Sequence, residues 1–517
     1  MNENQSSNSE KQGSDVVLSA DETSETTTTK NQSKTVPKKP KTKILPMILI
    51  LLVPAVIIAI CLILGQGASK TSTTPSNNID ESSINWGTYS GSTIELSSSL
   101  KITSGGIYTL SGTIADGLIE IDTDKDVKLI LNGVSVTNSN GPALYVANAD
   151  NVIIETVAGT TNTFTDSSVY TNWDEDVCAA IFSHDDLVLQ GDGKLVVNGN
   201  HEDGIVGKDD LKVSSGTIVI SAKDDGLRGR DSVYIVDGNL QITSGGDAIK
   251  SNNSEEVAKG YILIDGGTLN LSASDDGIHA ETSLEINGGT ISVKKSYEGL
   301  EAGKITINGG DISIVASDDG LNAAGGNDAS SPNSARYQTS SGSYSINING
   351  GSIYVDSAGD GIDSNGVIYF NGGKVVVDGP ANSANGAIDA DGGVIYNGGT
   401  VIAVGGSGMA VAPNVSSSKY SISVFFSQTY SAGTTLSVQD SAESTILTHT
   451  SARTFSHASL SSESFKEGET YTILINGSVY TTVTLSGKTT QISSGMGGGM
   501  MEQGPSGPAG QGGARRF

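Results

Sequence analysis

From about Asp176 to Gly399 the chain runs in short stretches of alternating apolar and polar residues, each closed by glycine, as in Ile286-Asn287-Gly288-Gly289-Thr290-Ile291-Ser292-Val293. A period of two turns every second side chain to one face, so each stretch predicts a short strand and each glycine-rich piece a corner. An Asp-Gly-apolar unit recurs with its acid at Asp203, Asp225, Asp247, Asp276, Glu298, Asp319 and Asp360, at steps of 22, 22, 29, 22, 21 and 41. The two long steps coincide with polar insertions near Ser251–Lys259 and Ala324–Ser343, so the period is about 22 with loops spliced in. A glycine corner at Gly216, Gly238, Gly267, Gly289, Gly310, Gly351, Gly373 and Gly399 keeps the same period. Three strands and three corners in such a unit predict one coil of a parallel β-helix. The 3.6-residue pattern of helical solenoids is absent.

Stacked coils lie about 4.8 Å apart, so equivalent residues form ladders. Asn287, Asn308, Asn349, Asn371 and Asn397 predict an amide ladder of structural purpose. Ile84 to Ser168 also alternates, less regularly, and could supply the first coils, which gives a solenoid over 84–410. Residues 411–492, with Ile422-Ser423-Val424-Phe425-Phe426 and Tyr471-Thr472-Ile473-Leu474-Ile475, lack the unit and predict a small antiparallel β domain closing the array. The expected class is all-β.

The flanks differ. Ile44 to Leu64 is an uncharged run of 21 residues, long enough to cross a hydrocarbon core of roughly 30 Å. Lys34, Lys38, Lys39, Lys41 and Lys43 precede it, so the positive-inside bias puts residues 1–43 in the cytoplasm and all after the span outside the cell. The expectation is a single-pass anchor in the cell membrane. Residues 1–43, the linker 65–83 and the Gly/Met/Pro-rich end 493–517 are too poor in bulky apolar residues to bury a core.

Composition adds a constraint on partners. The first 65 residues carry a net +1, so the remainder holds about −28 of a chain total of −27; that exterior repels nucleic acid and calls for no polyanionic partner or for a cation in between. Of two cysteines, Cys61 lies in the apolar run and Cys178 is alone beyond it, which leaves no internal disulfide.

Asp-Gly is ordinary turn chemistry, but stacking changes its meaning. Carboxylates about 4.8 Å apart repel by roughly 3–4 kcal/mol at an effective dielectric of 20, so a ladder needs splaying, protonation or a bridging cation. A second acidic row, in Ser183-His184-Asp185-Asp186-Leu187, Gly207-Lys208-Asp209-Asp210-Leu211 and Gly229-Arg230-Asp231-Ser232-Val233, is densest. Together with Asp203, Asp225 and Asp247 it offers the oxygens that Ca²⁺ prefers; scattered histidines disfavour zinc. The candidate metal ligands are Asp185, Asp186, Asp203, Asp209, Asp210, Asp225, Asp231 and Asp247.

These motifs, with Leu131-Asn132-Gly133-Val134 and Gly141-Pro142-Ala143-Leu144-Tyr145-Val146, resemble a bacterial cell-surface carbohydrate-binding β-helix family over roughly residues 84–490. The resemblance implies a right-handed parallel β-helix, similar to pectate lyases, with bound calcium and affinity for plant-wall polysaccharides such as cellulose or acidic sugars.

Three functions follow. The first is calcium-dependent carbohydrate binding, with calcium bridging protein and uronate carboxylates; acidic sugars such as polygalacturonate are favoured over cellulose because Trp86 and Trp173 are the only tryptophans and no aromatic row is legible. The second is a polysaccharide lyase, calcium acidifying the proton beside a uronate and Lys208, Arg228 or Arg230 acting as base. The third is a structural surface adhesin or spacer.

Overall fold

The computed structural model describes residues 81–324, 344–382 and 384–493. The expected span at 44–64, the tail 1–43 and most of the linker and C-terminal end lie outside these residues. Among the described residues no helix is long and apolar enough to cross a membrane.

The described chain is all-β, apart from two short 3-10 turns at Glu81–Ser83 and Trp86–Thr88. Three parallel ladders carry the repeat. One runs through Ala179–Ser183, Asp203–Gly207, Leu227–Gly229 and Ile249–Ser251; a second through Asp186–Gly191, Asp210–Val213, Ser232–Ile235 and Tyr261–Ile264; a third through Lys194–Gly199, Thr217–Ala222, Asn239–Thr243 and Thr268–Ser272. Each strand pairs with the strand one repeat further on. Inward side chains such as Leu227, Ile249, Leu211, Val233, Ile218 and Leu240 form one continuous buried core, and burial of this apolar surface is the main force holding the strands together.

The corners explain the glycines. The second glycine of each Gly-Gly corner is left-handed, with φ +92° at Gly289 and +99° at Gly310, a region costly for a residue with a Cβ. Beside them the asparagine ladder forms: the amide of Asn308 donates to Asn287 at 2.7 Å, Asn349 to Asn308 at 2.7 Å, Asn371 to Asn349 at 2.8 Å and Asn397 to Asn371 at 3.0 Å.

The glycine after each acid has a different reason. A Cβ on Gly299 would stand 2.3 Å from the Gly320 carbonyl oxygen and 2.4 Å from Ile314 Cγ2. Ala248 fills the equivalent place two repeats earlier, so a methyl can be absorbed where the neighbours give, but a branched side chain meets backbone. Gly299→Val is expected to destabilise by about 1–3 kcal/mol, the usual scale of overpacking, read as a lower denaturant midpoint; an unchanged midpoint would refute the close approach.

Beyond the ladders, Thr400–Gly405 pairs antiparallel with Phe455–Ser461, which pairs antiparallel with Ser421–Tyr430. Ser421–Tyr430 pairs in parallel with Thr489–Ser493, and a separate four-stranded antiparallel sheet holds Thr445–Thr450, Thr435–Gln439, Thr470–Ile475 and Ser478–Thr484. The third ladder continues through Thr290–Ser296, Asp311–Ala316, Ser352–Ser357 and Lys374–Asp378, and Asp378 ties this region to it, accepting from His449 Nε2 at 2.7 Å, Ser451 Oγ at 2.9 Å and Tyr354 OH at 2.9 Å.

Candidate functional site

The acids of the Asp-Gly unit sit at or just before the start of the first-ladder strands; those from Asp203 to Glu298 are almost wholly buried, Asp203 and Asp247 at 1% exposure, and Asp319 and Asp360 are half-buried. In all of them but Glu298, one oxygen is used by the backbone of the next repeat. Asp203 Oδ1 accepts from the Asp225 amide at 3.0 Å, Asp225 from Asp247 at 2.9 Å, Asp247 from Asp276 at 2.8 Å, Asp276 from Glu298 at 3.2 Å and Asp319 from Asp360 at 2.5 Å. The motif therefore closes hydrogen bonds between repeats as well as turning corners.

The second oxygen faces a row of side chains three residues further along each unit. Strand pairing aligns Val206, Arg228, Lys250, His279, Glu301, Asn322 and Asp363 in that order. Arg228 Nη2 lies 2.6 Å from Asp203 Oδ2; Lys250 Nζ lies 2.6 Å from Asp247 Oδ2 and 3.3 Å from Asp225 Oδ2; His279 Nδ1 lies 3.1 Å from Asp276 Oδ2 and 2.5 Å from Glu301 Oε2. In these repeats the cations that offset the stacked carboxylates are the protein's own. Burial would by itself lower His279, but Glu301 and Asp276 outweigh it and hold the imidazole well above its usual range.

After His279 the row turns acidic. Glu298 accepts both amide hydrogen bonds of Asn322, at 2.9 Å each, and burial first, then Glu301 and Asp276, push its carboxyl up to about 10. Asp360, Asp363 and Asp389 then bring one oxygen each within 4.8 Å of one another. Among the described residues no lysine, arginine or histidine pairs with any of the three. Burial, followed by the neighbouring carboxylates, pushes Asp363 up to about 7, and burial with Asp389 and Asp318 outweighs the Gly386 amide to push Asp360 up to about 6. Asp319, just before them, is pushed up to about 8 by burial and by Asp360.

Of the eight acids expected as metal ligands, the structure brings Asp203 and Asp225 together with Asp224, and Asp247 with Asp276 and His279. The other five have different surroundings. Asp185 Oδ2 accepts from the Ala149 amide at 2.7 Å, Asp186 from the Asp210 amide at 3.1 Å, and Asp210 from Ser232 Oγ at 2.6 Å. Asp231 holds Asn253 Nδ2 at 2.6 Å and Lys259 Nζ at 2.8 Å, and Asp209 precedes it in the stack, its carbonyl accepting from the Asp231 amide at 3.2 Å. None of these five joins a set of three close ligand atoms among the described residues.

The three basic residues considered as lyase bases are all engaged. Arg228 binds Asp203 and donates to Cys178 Sγ at 2.9 Å, Arg230 binds Glu255 at 2.9 Å, and Lys208 lies 3.5 Å from Asp176 and over the Phe182 ring. Burial, chiefly, pushes the Cys178 thiol up to about 12, which leaves it a poor nucleophile.

The structure also gathers aromatics that no repeat announces. Trp173, from the segment between Thr161–Thr165 and Ala179–Ser183, meets Tyr145 edge-on at 5.1 Å and 81°, and Tyr145 stacks on Phe182 at 6.1 Å. Trp173 donates to Asn140 O at 3.1 Å and packs where a Cβ on Gly141 would stand, 2.4 Å away. The row after the acids was visible as the third residue beyond each acid, but its outward face depends on strand geometry. The aromatics carry no periodic signal.

Comparison with known proteins bears on this surface. Residues 97–331 match the model of a family described as carbohydrate-binding domain-containing protein. A protein of that description from Acetivibrio thermocellus is 39% identical over 128 residues, 24% of this chain and 45% of that protein, so the chain spans about half the length of this relative. A solved structure described as a polysaccharide lyase-like protein from C. thermocellum, a gadolinium derivative, is 35% identical, covers 43% of this chain and 92% of its own, and superposes with a TM-score of 0.37. Over residues 97–331 this chain is therefore similar to the carbohydrate-binding domain-containing protein family.

Proposed function

We propose that the chain is a calcium-dependent carbohydrate-binding protein, held outside the cell by its N-terminal apolar run, and that it binds polysaccharides rich in acidic sugars. The fold assigned to it is a right-handed parallel β-helix, a reading supported by three parallel ladders that advance one repeat per strand. The observation that carries the proposal is the set Asp360, Asp363 and Asp389, whose oxygens converge without a side-chain cation among the described residues. Hard carboxylate oxygens in such number suit Ca²⁺, which takes six to eight oxygens and leaves positions for a ligand. When bound, the ion supplies positive charge that a uronate carboxylate can share, and this lets an acidic protein hold an acidic glycan.

On this reading the ion belongs with Asp360, Asp363 and Asp389 in preference to Asp203, Asp225 and Asp247, because Arg228 and Lys250 already balance the latter. Acidic sugars are favoured over cellulose because Tyr145 and Trp173 meet at 81°, whereas a flat glucan ribbon wants coplanar rings. A lyase is not favoured, since each proposed base is tied to an acid.

The test is titration of the soluble part with polygalacturonate in calcium and in chelator. Affinity is expected to fall at least about tenfold in chelator and in Asp363→Asn, the loss of one charge-assisted ligand being worth on the order of 1.5–3 kcal/mol. Unchanged affinity in both would remove calcium from the binding step. Absence of binding under every condition would remove the glycan.

A further inference from the structure

The segment Glu81–Tyr89 is not part of the repeat, yet it lies against the outer face of the second ladder. Ile84 and Trp86 pack on Ile153 and Val188, two outward apolar residues paired in register on adjacent strands. Polar contacts fasten the segment at both ends: Glu81 accepts from Ser214 Oγ at 2.8 Å and pairs with Lys212 at 3.3 Å, and Tyr89 OH donates to Asp126 at 2.7 Å. Between the segment and the sheet is an open cleft of about 500 Å³, within the range of small-molecule sites.

The cleft has a specific chemistry. Trp86, one of only two tryptophans in the chain, forms a half-buried apolar wall. Lys128 and Lys212 line it, with side chains only 17% and 16% exposed, and Lys128 Nζ stands 5.5 Å from the centre of the indole. Glu155 holds Lys128 in place at 2.9 Å, taking one of the three protons an ammonium can donate. Lys128 stands beside the indole and is paired with Glu155, while Lys212 stands 5.8 Å from the Tyr234 ring and is paired with Glu81, which also lines the cleft; a partly desolvated ammonium that is already paired can still donate to an anion, and does so more strongly than in open water. A ligand that uses both walls carries an apolar ring face and an anionic group within one residue. A hexuronate has both, a neutral hexose only the first and inorganic phosphate only the second.

We infer that the cleft formed by Trp86, Lys128 and Lys212 is a subsite for a single acidic sugar residue, which it holds directly, without calcium. This rests on the carbohydrate-binding reading above but uses a different face and a different source of positive charge. The subsite depends on residues N-terminal to the matched family segment.

Trp173→Phe leaves Trp86 as the sole tryptophan, so its fluorescence reports the cleft alone. In chelator, digalacturonate is expected to change that fluorescence saturably. Lactose, a neutral disaccharide, should bind at least about tenfold more weakly, and 0.5 M salt should weaken the digalacturonate response, by less than it would at fully exposed charges because the two ammonium groups are partly buried. In the otherwise unchanged chain, calorimetry in chelator should show at least about tenfold weaker digalacturonate binding for Trp86→Ala and for Lys128→Gln/Lys212→Gln, with the thermal transition retained. Equal binding by wild type and both variants, equal response to lactose, or no chelator-resistant binding would overturn the subsite. Calcium-dependent capture of polygalacturonate would survive any of these three results, whereas its loss with the chelator-resistant response intact would overturn the calcium reading alone.

Discussion

Lys250→Ala is expected to lower the unfolding free energy by about 3–5 kcal/mol, the cost of leaving buried carboxylates without their counter-ion. The ammonium lies between two successive acids of the ladder, at 2.6 Å from Asp247 and 3.3 Å from Asp225, and both acids are under 5% exposed. Burial alone would lower the lysine, yet Asp247 and Asp225 outweigh it and raise it. Neither acid can simply be removed without consequence, because each also accepts an amide proton from the next repeat. Lys250→Ala with Asp247→Asn should therefore recover part of the loss, since the neutral amide keeps an oxygen for the Asp276 amide while deleting one unpaired charge. Denaturant midpoints of the two variants check this. A single variant as stable as the wild type would mean that these carboxylates are solvated or protonated and need no cation.

Calcium is expected to raise the melting temperature of the metal-free protein strongly at pH 8 and little at pH 5. Asp319, Asp363 and Asp360 are held up to about 8, 7 and 6, chiefly by burial and then by one another or by adjacent acids. An unfolded aspartate titrates near 3.9. The folded protein therefore binds these protons more tightly than the unfolded chain does. Their contribution to stability is fully present below about pH 4 and is lost as pH climbs through 6 to 8. Calcium binds the deprotonated oxygens, so it competes with protons and acts most where the protons have gone. At a calcium concentration a hundredfold above its dissociation constant the gain is about 3 kcal/mol. Thermal scans at the two pH values, with Asp363→Asn as control, measure the difference. Equal shifts at both pH values, or the full shift retained in the variant, would move the ion away from Asp360, Asp363 and Asp389.

His279 sits at the boundary between the cation-filled and the acid-only parts of the row. It offsets Asp276 and Glu301 as a protonated ring. Since its folded value is raised, that support is complete below about pH 6.5 and is lost only as pH rises through the higher folded value. The row thus reads as one series of solutions to the same electrostatic problem. Arg228, Lys250 and His279 solve it with side chains; Asp363 and Asp389 leave it to protons or to an ion.

The repeat was legible in the sequence because it is local and recurs. A two-residue period fixes which side chains face inward, a glycine corner fixes where the strand stops, and an advance of about 22 residues lays equivalent asparagines on one another, so Asn308, Asn349, Asn371 and Asn397 bond in the order in which they occur. The all-β class follows from the same pattern. The acids were found by the same logic, but their partners were not. That Asp203, Asp225 and Asp247 carry Arg228 and Lys250, and that Asp360 and Asp363 meet Asp389 in a non-repeating stretch, depends on which face of a strand is outward and on how an insertion folds back. The two tryptophans mark the limit most sharply. Trp86 and Trp173 belong to segments outside the period, and the contact that fastens the first of them, Glu81 to Ser214, joins residues 133 apart. Periodicity speaks only for residues that share it. Contacts made by the exceptions are set by packing across the assembled stack, and only the tertiary structure decides them.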